Sequence, residues 1–435
     1  MTTTDTANDL SRGAVRALSA LKHEPEWMLD LRLRAWQIFE MLPMPVRTDE
    51  EWRRTDISKL KLDELASFAP TSGQSVSSPL GLDEVGAGLI SHQNSGTVDR
   101  RLAEDLAGQG VIFTDLDTAV QQHPELVRKY FMTEAVTPDY NKFTALNGAF
   151  WSGGTFLYVP RGVDIGLPLR ALYTLTEPGL ALFTHTLVVV EPEANVSYLE
   201  EYASAPIEQQ SFNAGVVEIF LGAAAHLTFV ALNDWIGKVL DISTHRALLD
   251  RDSRLDWLAI GVGDGVNKAN LEAALRGAGS STQMLGILWG HGQQHTDYHT
   301  VQDHLAPHTT SDLLYKNALT DEARSIFSGR IRVVKGAQGT DAYQANRNIL
   351  LSEHAAAFPS PNLEIEANEV RCTHGASIGK VDQDQLFYLM SRGLPLEEAT
   401  RMVVEGFFEE VLQREPVAGI RDNLRDLIVR KMDAG

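Results

Sequence analysis

The chain has 435 residues, with 58 acidic and 38 basic side chains and a formal net charge of -20. Nucleic-acid affinity comes largely from Lys and Arg neutralising phosphates, so this balance argues against a nucleic-acid partner. A single cysteine, Cys372, excludes an intramolecular disulfide framework and any self-contained four-cysteine metal site.

The start, "MTTTDTANDL", lacks the basic residues and apolar run of a secretory signal. The most apolar stretch, "GVVEIFLGAAAHLTFVAL", is interrupted by Glu218 and His226, which argues against a membrane span. A cytoplasmic protein is expected, and its length implies two or three structural units.

Residues 1–150 read as mostly helical with a linker. "PEWMLDLRLRAWQIFEML" opens on Pro25 and repeats Trp27, Leu31, Ala35, Ile38 and Leu42 at helical spacing. Pro43 and Pro45 break it before "EEWRRTDI", and "FAPTSGQSVSSPLGLDEVGAG" has the composition of a loop or linker. A short strand-like "GVIFTDL" and a second helical set, "DTAVQQHPELVRKYF", follow.

Residues 151–381 change texture. Strand-like runs such as "HTLVVVEPEANVSYLEEY" and "HRALLDRDSRLDWLAIGV" succeed one another with no amphipathic helix between them. The turns "EPEA", "LGAA", "LDRD" and "RGAG" recur at roughly 27 to 29 residues, a period that suggests a stacked array. Parallel strands in a doubly wound sheet need crossover helices, which are missing here. A β-solenoid satisfies the same hydrogen bonds by stacking coil on coil; a β-sandwich is the alternative.

Residues 382–435 turn helical again. "LPLEEATRMVVEGFFEEVLQ" places Pro395 near a helix start with acids in its first turn. Met402, Val403, Gly406, Phe407 and Val411 form one apolar stripe, expected to pack on the chain's own core. A last helix, "IRDNLRDLIVRKM", follows Pro416.

Chemistry-bearing motifs are few. "GASIGKV" has three residues between its glycines and Val381 after Lys380, so it fails as a phosphate loop. "GVGDG", between strands, is no dinucleotide fingerprint. His291, His295 and His299 recur every fourth residue, which on a strand separates neighbours by about 13 Å, too far to share an ion. They read as a structural or surface polar ladder, with a metal site as the rival. Within "RCTHGAS", Cys372 and His374 point the same way but stand nearly 7 Å apart on a strand, a poor nucleophile–base dyad. By residue type alone Cys372 is a buried, unreactive cysteine.

Several stretches together resemble the SufB/SufD family of the SUF iron–sulfur cluster assembly scaffold. They include "GVIFTDLDTAVQQHPELVRKYF", "ALNGAFWSGGTFLYVPRGV", "SIFSGRIRVVKGAQGTDAYQANRNILLS" and "PNLEIEANEVRCTHGASIGKVDQDQLFYLMSRG". "RCTHGAS" and the single cysteine are similar to the SufD branch. The resemblance implies a mixed α and β chain whose core is a right-handed parallel β-helix (β-solenoid) flanked by N- and C-terminal helical segments. It also implies a non-catalytic scaffold subunit that pairs with SufB through the β-helix and docks the ATPase SufC on its C-terminal helices. No cofactor is expected on the chain alone. A transient iron–sulfur cluster would be shared with SufB, with His374 as the ligand this chain supplies and Cys372 as the weaker candidate. Gly393, Pro395, Glu398, Ala399, Gly406 and Phe407 lie on the segment matching the SufC-binding helix. The rivals are a Cys/His or metal-dependent β-solenoid enzyme and a homo-oligomeric structural β-solenoid. A homodimer is expected when the chain is isolated.

Overall fold

The computed structural model describes residues 9–74, 76–82, 86–414, 417 and 420–434. The linker's residues 75 and 83–85, and Pro416 before the last helix, lie outside them. From His185–Val190 onward, successive strands alternate between two ten-stranded sheets, so each of these strands pairs with one a full coil away. The first wall ends in Ser281–Gly290, Thr310–Leu319, Asp341–Leu350 and Arg371–Lys380, and the second in His295–His304, Arg324–Val333 and Ala356–Ile365. His226, Arg254, Ser281, Thr310, Asp341 and Arg371 occupy successive in-register rungs 27 to 31 residues apart, all parallel. A sandwich is built from antiparallel sheets; parallel pairing without crossover helices makes the core a β-solenoid.

The repeating turns are the corners of these coils. Glu193, Ala224, Asp252, Gly279 and His308 have positive φ, from 56° to 74°. The first four sit in "EPEA", "LGAA", "LDRD" and "RGAG". Their N–H groups donate to the next coil's turn, on Ala223, Arg251, Ala278, Pro307 and Gln338 oxygens at 2.8–3.2 Å. The left-handed conformation is costly for a residue such as Ala224, and the column of hydrogen bonds offsets that cost. "GVGDG" forms an opposite corner, where a Cβ on Gly263 would stand 2.5 Å from the Trp235 carbonyl oxygen.

Helices cover both outer faces. Phe143, Phe150 and Trp151 from the N-terminal part pack with Phe183, Phe212 and Phe220 on the second wall. Val404, Phe408, Leu424 and Ile428 from Leu396–Leu412 and Ile420–Ala434 pack with Leu258, Ile287 and Trp289 on the first. Tyr198, Phe229, Trp257 and Phe327 fill the space between the walls. Strands buried on both faces read as unbroken apolar runs, which explains the texture of the central sequence. Among the described residues no helix is long and apolar enough to cross a membrane.

Helix Glu26–Met41 forms where the periodicity predicts it, but rotated: its buried residues are Met28, Arg32, Ala35 and Trp36. Arg32 can be buried because it pairs with Glu24 at 2.6 Å and donates to the Ala149 and Trp151 carbonyls. Glu218 is likewise buried, its carboxylate accepting from the Met132 and Val136 N–H groups beside His185. Both positions look like interruptions of an apolar pattern and are polar centres that fix the N-terminal helices to the second wall.

Candidate functional site at the open end of the solenoid

Cys372 and His374 lie on Arg371–Lys380, the last rung of the first wall. Ala342 is in register with Cys372 and Gln344 with His374. Parallel pairing sends alternate residues' N–H and C=O groups to opposite sides. The Arg371 N–H donates to Thr340 O, so odd-numbered residues bond inward along the wall. The main-chain groups of Cys372, His374, Ala376 and Ile378 then face out along the edge, where no described strand meets them.

The other wall ends differently. Ala356 and Glu366 donate to Ala323 O and Val333 O, so it is the odd-numbered residues of Ala356–Ile365 that face out. Two of these, Pro359 and Pro361, have no N–H to offer. Proline on the outward positions blunts a sheet edge against pairing. The solenoid thus ends in one blunted strand and one complete, unpaired strand with His374 near its centre.

Side chains at these even positions point toward the space between the walls, which is uncovered here. His374 is exposed and Ile378 is half exposed. Cys372 is partly buried against the cluster of Ile331, Val333, Ala337, Ala342 and Ala367. Burial and the Asp341 carboxylate push its thiol above the ordinary range, which leaves little thiolate at neutral pH. Among the described residues no group of three or more His, Cys, Asp or Glu side chains is arranged to hold a metal ion.

"GASIGK" belongs to this same strand and opens no helix, which removes the phosphate-loop reading on structural grounds as well. His295 and His299 face outward beneath the segment around Trp52 and Thr55. His295 Nε2 lies 2.9 Å from Thr55 Oγ1, and His299 Nε2 lies 2.9 Å from Asp297 Oδ1 and from Lys268 Nζ. Burial would raise the Asp297 carboxyl, yet His299 and Lys268 together draw it below its usual range. His291 faces Asp264 at 3.3 Å. These imidazoles are engaged by the chain itself, and sequence spacing gave no sign of Thr55 or Lys268 as partners.

A second exposed feature lies on the C-terminal helices. Helix Leu396–Leu412 has two apolar faces. Val404, Phe408, Val411 and Leu412 are buried on the first wall. Of the stripe expected to be the core side, Val411 is buried, Val403 and Phe407 are partly buried, and Met402 and Gly406 are exposed. Met402, Val403, Gly406 and Phe407 join Tyr388 and Leu389 of Gln383–Ser391 in lining a groove of about 860 Å³. No atom lies within 4 Å of a Cβ built on Gly406, so its missing side chain keeps the groove open. Gly393, with φ of 98°, makes the turn between the helices, and Pro395 precedes the second helix as its N-cap. Ala399 is buried between them, whereas Phe387, Tyr388 and Leu396 are exposed by 74%, 58% and 56%.

Residues 173–407 match the family profile described as SUF system FeS cluster assembly, SufBD core domain, and residues 83–171 match the SufBD protein N-terminal region. The chain is 33% identical over 96% of its length to the iron–sulfur cluster assembly protein SufD of Bacillus subtilis, covering 97% of that protein. It is 30% identical over 94% of its length to SufB of the same organism, covering 90% of it. A SufBD family iron–sulfur cluster assembly protein of Staphylococcus aureus gives the same identity and coverage.

Proposed function

The chain belongs to the SufB/SufD family of iron–sulfur cluster assembly proteins, and from that premise we propose that it is a non-catalytic scaffold subunit of the cytoplasmic SUF system. Its open strand Arg371–Lys380 pairs with the matching edge of SufB, and a nascent cluster forms in the seam with His374 as this chain's ligand. The observation that carries this reading is the contrast at the open end: the neighbouring edge is blunted by Pro359 and Pro361, while the strand holding His374 keeps every outward N–H. Cys372 is the weaker candidate because its thiol is partly buried and held protonated. In isolation the same edge would pair with a second copy of the chain.

SufC docks in the groove whose apolar lining includes Tyr388, Leu389, Met402, Val403, Gly406 and Phe407 and whose polar lining is Lys380, Asp382, Asp384 and Gln385, a mixed surface suited to a helix-in-groove contact. Gly393 and Pro395 set the angle of the two helices, Ala399 packs between them, and Glu398 lies in the first turn of Leu396–Leu412. Nucleotide cycling in SufC would then pull on the scaffold pair and open the seam.

The test is anaerobic reconstitution of the chain co-expressed with SufB and SufC. His374→Ala is expected to assemble normally but lose iron and visible absorbance, with Cys372→Ala close to wild type. Equal iron loading by His374→Ala and wild type would overturn the ligand role. Retention of SufC by a Phe407→Ala, Met402→Glu double variant would overturn the docking site.

A further inference from the structure

Part of the stretch that reads as a linker is buried. Leu80 and Leu82 are 2% and 6% exposed and belong to the apolar cluster between the first wall and the C-terminal helices. A connecting segment ordinarily runs over the surface, so burial here calls for a reason.

The segment is held from two sides. On the wall side, the buried Glu201 carboxylate accepts from Ser78 Oγ at 2.7 Å and from the Leu80 N–H at 3.2 Å, while its other oxygen accepts from Arg170 at 2.7 Å. Hydrogen bonds to a charged group are short and strong, and these are shielded from water. Gly81, with φ of 64°, turns the chain so that the Leu82 N–H returns to Ser78 Oγ. On the helix side, Asn423 Nδ2 donates to Leu80 O and Arg430 to Pro79 O, both at 2.7 Å. Lys431 of the same helix pairs with Asp234. Arg170 and Glu201 stand on Leu169–Leu175 and Asn195–Ser204, among the first coils.

The helical pair is also fastened near the open end. Lys316 and Arg347 both pair with Glu410 of Leu396–Leu412, at 2.6 and 2.9 Å. Between the two fastenings, its apolar seam takes the in-register row Leu199, Val230, Leu258, Leu285, Leu314 and Ala345, one residue from each successive strand of the first wall. We propose that residues 78–82 are a clasp that ties the last helix to the first coils. The helical pair is then a brace along the whole first wall, and force applied at the groove reaches the coils farthest from the open strand. Transmission rests on SufC docking in the groove, whereas the clasp is measurable in the chain alone.

The experiment is residue-resolved hydrogen exchange on the full chain. The double variant Leu80→Ser, Leu82→Ser removes the apolar hold and keeps the Arg170–Glu201 pair. The double variant Asn423→Ala, Arg430→Ala releases the segment from the helix side. Each is expected to speed exchange in Ile420–Ala434 about tenfold or more, with Ser281–Gly290 unchanged. Exchange in Ile420–Ala434 indifferent to both variants overturns the clasp, as does equal acceleration in Ser281–Gly290, which would make the loss global. With SufC bound, ATP is expected to change exchange in Leu169–Leu175 and Asn195–Ser204 of wild type, and in neither variant while SufC stays bound. Wild-type strands that ignore ATP overturn the transmission and leave the clasp. Failure of SufC to bind wild type removes the docking reading and the transmission with it, while exchange in the chain alone still decides the clasp.

Discussion

At its first coils the solenoid turns back on itself. Gly96–Leu102 pairs antiparallel with Gly88–Gln93, and Ile112–Asp115 pairs antiparallel with Thr155–Val159, so each wall starts on a short reversed strand. At the last coil the terminal strands Ala356–Ile365 and Arg371–Lys380 are ten residues long and parallel to the strands beneath them. A stacked array needs its end edges short, blunted or covered to avoid edge-to-edge growth. This chain shortens and reverses its edge strands at one end, disarms half of the other with proline, and leaves Arg371–Lys380 as a long, regular edge. On the proposed function, substitutions in the first part of the chain should act on stability, and those on Arg371–Lys380 on assembly.

The largest separation should come from Arg32→Ala against Ile378→Lys. Arg32 is buried against Glu24, whose carboxyl burial would raise and Arg32 holds low. Removing the cation strands that charge and should cost about 3–5 kcal/mol in denaturant unfolding. Ile378, half exposed on the open strand, should change monomer stability by less than about 0.5 kcal/mol. It should nonetheless weaken pairing with SufB at least about tenfold, or 1.4 kcal/mol, by titration. Equal effects of the two on unfolding would break the comparison.

The same logic applies within one helix. Phe408→Ala removes a fully buried ring and should cost about 3–5 kcal/mol. Phe407→Ala, beside it on the groove, should spare most of that stability and reduce SufC co-purification.

A smaller effect reports on the sealed interior. Burial raises the Asp241 carboxyl to about 7 despite hydrogen bonds from Asn213 and Asn233, against 3.8 for an unperturbed group. Between those values the folded chain binds a proton that the unfolded chain has released. This contribution to stability is complete below the unfolded value and is lost as pH rises through about 7. Melting temperature should fall over that window in wild type, and Asp241→Asn should flatten the slope. The smallest effect concerns Cys372, whose raised thiol should alkylate more slowly at neutral pH than free cysteine. Rapid labelling would revive a nucleophilic role.

Much of this fold can be read from the chain because its cues are local and periodic. The spacing of "EPEA", "LGAA", "LDRD" and "RGAG" marks the coil corners, since each coil must place a left-handed residue at the same height. Helix positions follow from capping and apolar period, but their faces do not. Arg32 and Glu218 are buried by partners far along the chain, and of the expected stripe Met402 and Gly406 are exposed while Val403 and Phe407 are only partly buried. The candidate site was legible only as a Cys–x–His triplet. Its setting depends on which strand ends the stack and on Pro359 and Pro361 one coil segment earlier, neither of which residue types alone disclose.

The most direct test of the account is residue-resolved hydrogen exchange along Arg371–Lys380, in the chain diluted to a monomer and again with SufB bound. In the monomer, the N–H groups of Cys372, His374, Ala376 and Ile378 should exchange rapidly while Gly88–Gln93 stays protected. Binding should slow these four and leave Gly88–Gln93 unchanged. If the complex forms and the four amides keep exchanging at the monomer's rate, the open strand is not the pairing surface and the account fails.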